Sequence, residues 1–354
     1  MKKVSFYSLL LSLLTAAIFS LVACNNTEKK PEQGKLSVVA TIYPEYAWLK
    51  EILGSRADSV DLTLLIKNGV DLHSYKPTAQ DIAKIASANM VVYVGGESDE
   101  WIKDALEASP KKDRAEINLM VALGDRVKAE EIVEGMQAEE EHHHEHAEAH
   151  EADEHEHHNE HAEKHEHHDH HEEEVENDGH VWLSLKNAEI LVQKIAAELV
   201  KIDPAHASLY NENAIDYVTK IKALDGDYRT AVESASRKTV LFGDRFPFRY
   251  LVDDYGIKYY AAFVGCSAES EASFETIAFL AGKMDSESLP AIFTIEQGNK
   301  KIADAVLAAS KNSKEAQILT INSMQSITEQ QIAESISYLS IMQLNLDVLK
   351  KALN

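Results

Sequence analysis

The chain has 354 residues, of which 45% are hydrophobic and 27% charged, and a formal net charge of −24. Such an acidic balance argues against nucleic acid as a partner, and two cysteines are too few for a disulfide framework in an exported protein. The length is ample for two self-stabilising lobes.

The N-terminus opens with Lys2 and Lys3, followed by an apolar run from about Leu9 to Val22 that ends in "LVAC". A basic start and an apolar segment of this length read as a secretory signal. "LVAC" resembles a lipobox, which implies cleavage before Cys24 and lipidation of that residue. On this reading residues 1–23 are the signal and the mature protein is extracytoplasmic, tethered to the cell membrane by lipid on Cys24. Residues 24–34 have the composition of a flexible linker.

From Lys35 onward, β-rich runs alternate with helical patterns. "KLSVVATI", "VDLTLLI" and "MVVYVGG" read as strands, with "PEYAWLKEILGS" and "TAQDIAKIASA" as helices between them. This alternation predicts parallel sheets with helices on both faces. After an acidic interruption, "LKNAEILVQKIAAELVKI" is an amphipathic helix that ends at Asp203-Pro204. Some thirty residues of uninterrupted helical pattern follow, more than one small lobe needs. "KTVLFGD", "IKYYAAF", "AIFTIE" and "AQILTI" then form a second strand series, and "TEQQIAESISYLSIMQLNLDVLKKAL" reads as one long closing helix. The predicted fold class is α/β, with two doubly wound, Rossmann-like lobes joined by one long rigid helix. The expected boundaries are 35–203 for the first lobe, 204–236 for the connecting helix and 237–354 for the second lobe. An insertion at 138–177 interrupts the first lobe.

That insertion holds most of the charge. Between Glu139 and Asp178 there are 18 acids and one base, Lys164, leaving only −7 for the rest of the chain. Fourteen of the 17 histidines lie there: His142, His143, His144, His146, His150, His155, His157, His158, His161, His165, His167, His168, His170 and His171. Imidazoles and carboxylates together bind borderline metals, and the i, i+4 trios would share a helix face. With Val175 as its only apolar side chain larger than alanine, the tract cannot bury a core. It reads as an accessory collector of metal with many interchangeable sites. The H-E-x-x-H spacing of a metalloprotease is absent from it.

Three histidines remain. His73 lies in "NGVDLHSYKPTAQD", after a strand and before a helix, where loops of doubly wound sheets gather ligands. His180 lies in "NDGHVWLSLKNA". His206 begins the long helix and reads as solvent-facing.

"GVDLHSYKPTAQD" and "DGHVWLSLKNA" resemble the two ligand loops of the zinc- and manganese-binding solute-binding proteins of ATP-dependent (ABC) importers. The resemblance covers nearly the whole mature chain, and a His-rich insertion between those loops is typical of the zinc-importing branch. It implies that His73 and His180 are metal ligands from the first lobe. In the second lobe the pattern departs. The family's H-x-x-F-x-Y corresponds to "RFPFRY", which puts Arg245 where a ligand is usual, and a guanidinium cannot bind a metal. Asp244, Cys266, Glu296, Glu269 and Glu271 are the remaining candidates, with Glu271 also suited to capping the helix after Ser273.

The implied function is capture of Zn²⁺ in the cleft between lobes and delivery to an ABC permease in the cytoplasmic membrane, by a monomer without catalytic activity. Manganese or iron becomes the expected cargo if two carboxylates complete the site. A surface adhesin or metal-buffering lipoprotein, and a zinc hydrolase, are the competing readings. The sequence offers no nucleophile or base motif for a hydrolase.

Overall fold

The computed structural model describes residues 35–137, 176–267, 271–311 and 315–354. The signal, Cys24, the tether, nearly all of the insertion and Glu269 lie outside the described residues.

Two four-stranded parallel sheets are built with the same plan. In the first, β1 (Ser37–Ala40), β2 (Asp61–Leu64), β3 (Met90–Tyr93) and β4 (Ala115–Asn118) are ordered β2-β1-β3-β4. In the second, β5 (Thr239–Phe246), β6 (Lys258–Val264), β7 (Ala291–Ile295) and β8 (Gln317–Ile321) are ordered β6-β5-β7-β8. The central strands "MVVY" and "AIFTI" are buried at every position, as expected when helices cover both faces of a sheet. Four-residue β4 ("AEIN"), where Ile117 is the one buried residue, is too short to stand out in the sequence and is absent from the predicted strands.

Helices follow the strands: α1 (Tyr43–Leu53), α2 (Ala79–Ser87), α3 (Trp101–Ala108) and α4 (Leu119–Leu123) in the first lobe. Thr78 caps α2 by accepting from Asp81 N–H, while the Asp81 carboxylate accepts from Thr78 N–H, closing a capping box. Helix α5 (Leu185–Ile202) leads through a turn at Pro204–His206 into α6 (Ala207–Glu233). At 27 residues, α6 is about 40 Å long. Tyr210, Ala214, Tyr217, Ile221, Leu224 and Tyr228 recur at helical spacing and form its buried face. That face packs on α1 and α5 of the first lobe. It also packs on α7 (Arg249–Tyr255) and on α11 (Tyr338–Leu353), the C-terminal helix.

The second lobe adds α8 (Phe274–Ser286) and α9 (Lys301–Ala309). The expected single closing helix is broken into α10 (Glu329–Ala333) and α11. The cause is local. Ser335 takes a left-handed φ of 63°, and Ser337 caps α11 through Ser340 N–H. Tyr43 of α1 donates to the freed Ile336 carbonyl, so the break is held by the first lobe. Residues 36–354 form one unit, and a continuous apolar cluster runs through both lobes.

Candidate metal centre

The site forms where loops leave the carboxyl ends of the strands, the usual address for ligands in sheets of this topology. His73 sits in a tight turn after β2. The Asp71 carboxylate accepts its backbone N–H at 2.9 Å and so fixes the turn. Its ring Nδ1 meets Ser98 Oγ at 2.5 Å, in the loop after β3. That loop is anchored in turn by Asp99, which accepts from Val94 N–H and Gly95 N–H. Burial pushes the Asp99 carboxyl up to about 6 despite those bonds.

His180 is fully buried. Asp178 Oδ1 lies 2.8 Å from both its backbone nitrogen and its ring Nδ1. A proton on Nδ1 shared with the carboxylate leaves Nε2 as a bare donor toward the cleft. Trp182, in the next turn, donates to Ser323 O of the second lobe, and Tyr338 donates back to Trp182 O. The His180 turn is thereby pinned from both lobes.

The two Nε2 atoms stand 3.2 Å apart. Two lone pairs at that distance repel unless something positive lies between them. Gln325, in the loop after β8, meets both with the N–H donors of its side-chain amide, whose nitrogen is 3.0 Å from His73 Nε2 and also hydrogen-bonded to His180 Nε2. Cys266, just after β6, completes the group. Its sulfur and the two histidine nitrogens all lie within 4.8 Å of one another. The adjacent Gly265 makes this approach possible, since a Cβ there would stand 2.9 Å from His180 Cε1 and 2.9 Å from Phe246 O. A cavity of about 270 Å³, lined by Leu72, Glu97, Ser98, Trp182 and the three donor residues, opens the cluster to solvent.

The electrostatics suit a cation that displaces protons. His73 is pushed well below its ordinary range, by burial first and then by neighbouring His180, with Asp71 opposing. Its imidazole therefore stays neutral and ready to ligate at neutral pH. Burial and the Glu130 carboxylate push the Cys266 thiol up, and the thiol is hydrogen-bonded to Glu130. The second Glu130 oxygen is buried with no hydrogen-bond partner among the described residues.

Of the sequence-derived candidates, His73, His180 and Cys266 come together; Asp244 and Glu296 do not join them. Asp244 accepts from Arg245 N–H and Ile295 N–H, and burial raises its carboxyl. It packs so closely on Gly298 that a Cβ there would meet its Oδ2 at 1.8 Å. Glu296 accepts from Ser323 N–H and Oγ–H, Gln325 N–H and Ser326 Oγ–H, so it shapes the loop that carries Gln325. Arg245 pairs with Asp71 across the cleft. Glu271 is exposed, and the helix after it is capped by Ser273. His206 pairs with Asp203 at the start of α6. Gln325 and Ser98 escape a search confined to His, Cys, Asp and Glu. The signal for Gln325 is its place directly after a parallel strand, the same signal that singles out His73.

Residues 38–352 match the family described as zinc-uptake complex component A, periplasmic. The chain belongs to this family. A relative in it, the zinc-binding lipoprotein AdcA of Streptococcus pneumoniae, is 31% identical over 99% of this chain and 61% of its own length. The high-affinity zinc uptake system protein ZnuA of Bacillus subtilis is 31% identical over 96% of this chain and 95% of its own. The Zn(II)-bound ZnuA-like domain of S. pneumoniae AdcA superposes with a TM-score of 0.64 at 26% identity, covering 90% of this chain and 99% of that domain. The chain thus spans less than two thirds of AdcA but nearly the whole of its ZnuA-like domain. Arg245 faces Asp71, while Cys266, at the end of the neighbouring strand, lies beside His73 and His180.

Proposed function

We propose that this protein is an extracytoplasmic binding protein that captures Zn²⁺ between its lobes and delivers it to an ABC permease. The ligands are His73 and His180 from the first lobe and Cys266 from the second, with Gln325 at the fourth corner. The observation that carries this reading is the spacing of the donors. Two nitrogens bound to Zn²⁺ at 2.0–2.1 Å in a tetrahedron lie about 3.3 Å apart, against 3.2 Å between the two Nε2 atoms. Cys266 needs to close by at most about 1.3 Å to reach bonding distance. Rotating the Gln325 amide would exchange its nitrogen for Oε1 and turn a placeholder into a ligand.

Two imidazoles and a thiolate favour Zn²⁺ over Mn²⁺, which prefers oxygen donors. The two carboxylates that would have favoured manganese, Asp244 and Glu296, are taken up by backbone N–H groups and hydroxyls. A site closed by four protein groups holds its ion without activating water, so no hydrolytic role is assigned. The relatives' names support zinc and a lipoprotein anchor, for which Cys24 is the residue here. We assign residues 1–23 to the signal, 24–34 to the tether and the His-rich insertion to collecting ions near the cleft. Among the described residues no helix is long and apolar enough to cross a membrane.

The test is calorimetric zinc titration against a competing chelator, with residues 138–175 replaced by a short Gly-Ser linker. One tight site per chain is expected, lost in His73→Ala and in Cys266→Ala. Absence of a tight site after the replacement would make the His-rich tract the binder and refute the cleft.

A further inference from the structure

We propose that Arg245 is a positioning residue for this site: acting through Asp71, it ties the His73 loop to the second lobe and slows escape of the ion. The inference rests on the capture reading above. The Asp71 carboxylate is shared. Oδ1 accepts the His73 backbone N–H at 2.9 Å, while Oδ2 takes the Arg245 guanidinium. Arg245 lies near the end of β5, past the register shift between Phe242 and Arg245. One ion pair therefore joins a second-lobe strand to the first-lobe turn that holds a ligand. Both side chains are mostly buried, at 17% and 20% exposure, so the pair is poorly screened. A cavity of about 230 Å³ lined by Asp71, Ser74, Arg245 and Ser267 runs beside it, which places the pair on the flank of the ligand loops. Ser74 and Ser267 are the chain neighbours of His73 and Cys266, so the cavity borders the loop of a donor in each lobe.

The sign of the electrostatics makes the idea testable. If only charge mattered, removing Arg245 would leave Asp71 uncompensated and strengthen cation binding. A tether predicts the reverse. Loss of the bond frees the His73 loop, and the ion leaves faster.

The experiment uses the mature chain with Cys24→Ser, so that Cys266 is the only thiol. Cobalt(II) is loaded, and its thiolate charge-transfer absorption reports this site alone, because the His-rich tract has no cysteine. Excess EDTA then strips the metal while the band is followed by stopped flow. Arg245→Gln and Asp71→Asn should each release cobalt roughly tenfold faster, as for loss of one charged hydrogen bond. Arg245→Lys should recover part of the difference. A band of normal intensity with equal or slower release in Arg245→Gln refutes the tether while leaving the site intact. No band in the unsubstituted chain refutes the Cys266 site itself, and the proposal with it.

Discussion

Glu296→Gln separates two roles that a strand-end carboxylate can play. As a metal ligand, Glu296 would lose ion affinity on substitution with little effect on the fold. The structure instead gives its two oxygens to the loop after β8: Oε2 accepts Ser323 N–H at 2.7 Å and Oε1 accepts Gln325 N–H at 3.2 Å. Glutamine has one carbonyl oxygen, so one of these two backbone donors must face an NH₂ group. A backbone donor deprived of its acceptor costs about 1–3 kcal/mol, and the surviving bonds weaken as the charge is lost. The sum is about 3 kcal/mol. In a chain of this size that lowers the melting temperature of the metal-free protein by roughly 4–5 °C. The assay is differential scanning calorimetry of metal-free wild type and variant, paired with a zinc titration of each. Zinc affinity should fall about tenfold to a hundredfold, because the loop that carries Gln325 loosens without loss of a ligand. An unchanged melting temperature with zinc binding abolished would refute this reasoning and return Glu296 to the ligand set.

Four further outcomes follow from the same geometry. Binding Zn²⁺ should release one proton near pH 7, because burial and Glu130 keep the Cys266 thiol protonated in the free chain. Calorimetry in buffers of different ionisation enthalpy should show this release lost in Cys266→Ala; equal release in both would exclude the thiol. His73 has a depressed folded pKa, so an unfolded chain takes up its proton first as the pH falls. Stability of the metal-free protein should thus decline below about pH 6.5, and less so in His73→Gln, as urea melts across pH would show. Gly265→Ala removes no ligand, yet its Cβ would press on the His180 ring and Phe246 O. It should cost at least tenfold in zinc affinity, and unchanged affinity would mean that the loop has slack. Gln325→Ala should leave the metal-free Nε2 pair without its shared donor, moving the histidine ring resonances in NMR spectra of the free protein; unmoved resonances would remove Gln325 from the site.

Much of the fold was legible because its signals are local. Buried parallel strands show as unbroken apolar runs, and α2 announces itself through Thr78 and Asp81. The break between α10 and α11 was not, because Ser335 and Ser337 sit within an otherwise helical pattern and the break is held by Tyr43, almost three hundred residues away in the chain. His73 was legible from its address after a strand, and both histidines from the family motif. The second-lobe donors were harder to read. Cys266, Asp244 and Glu296 are all ligand types near strand ends, and spacing does not reveal whether each is already satisfied by nearby N–H groups. Gln325 was invisible for a different reason, since an amide enters the ligand set only when its neighbours leave it facing two imidazoles.

On the capture reading proposed above, helix α6 is a lever on this site. Its buried face is seated in both lobes, and it is about 40 Å long. A tilt of only about 5° at one end carries the other end through roughly 3.5 Å, well over the 2.0–2.1 Å length of a zinc–nitrogen bond. Such a rod amplifies a small angular push from a docked partner into rupture of the bonds between ion and one lobe. Unloading then needs no wide gape of the cleft, only torque.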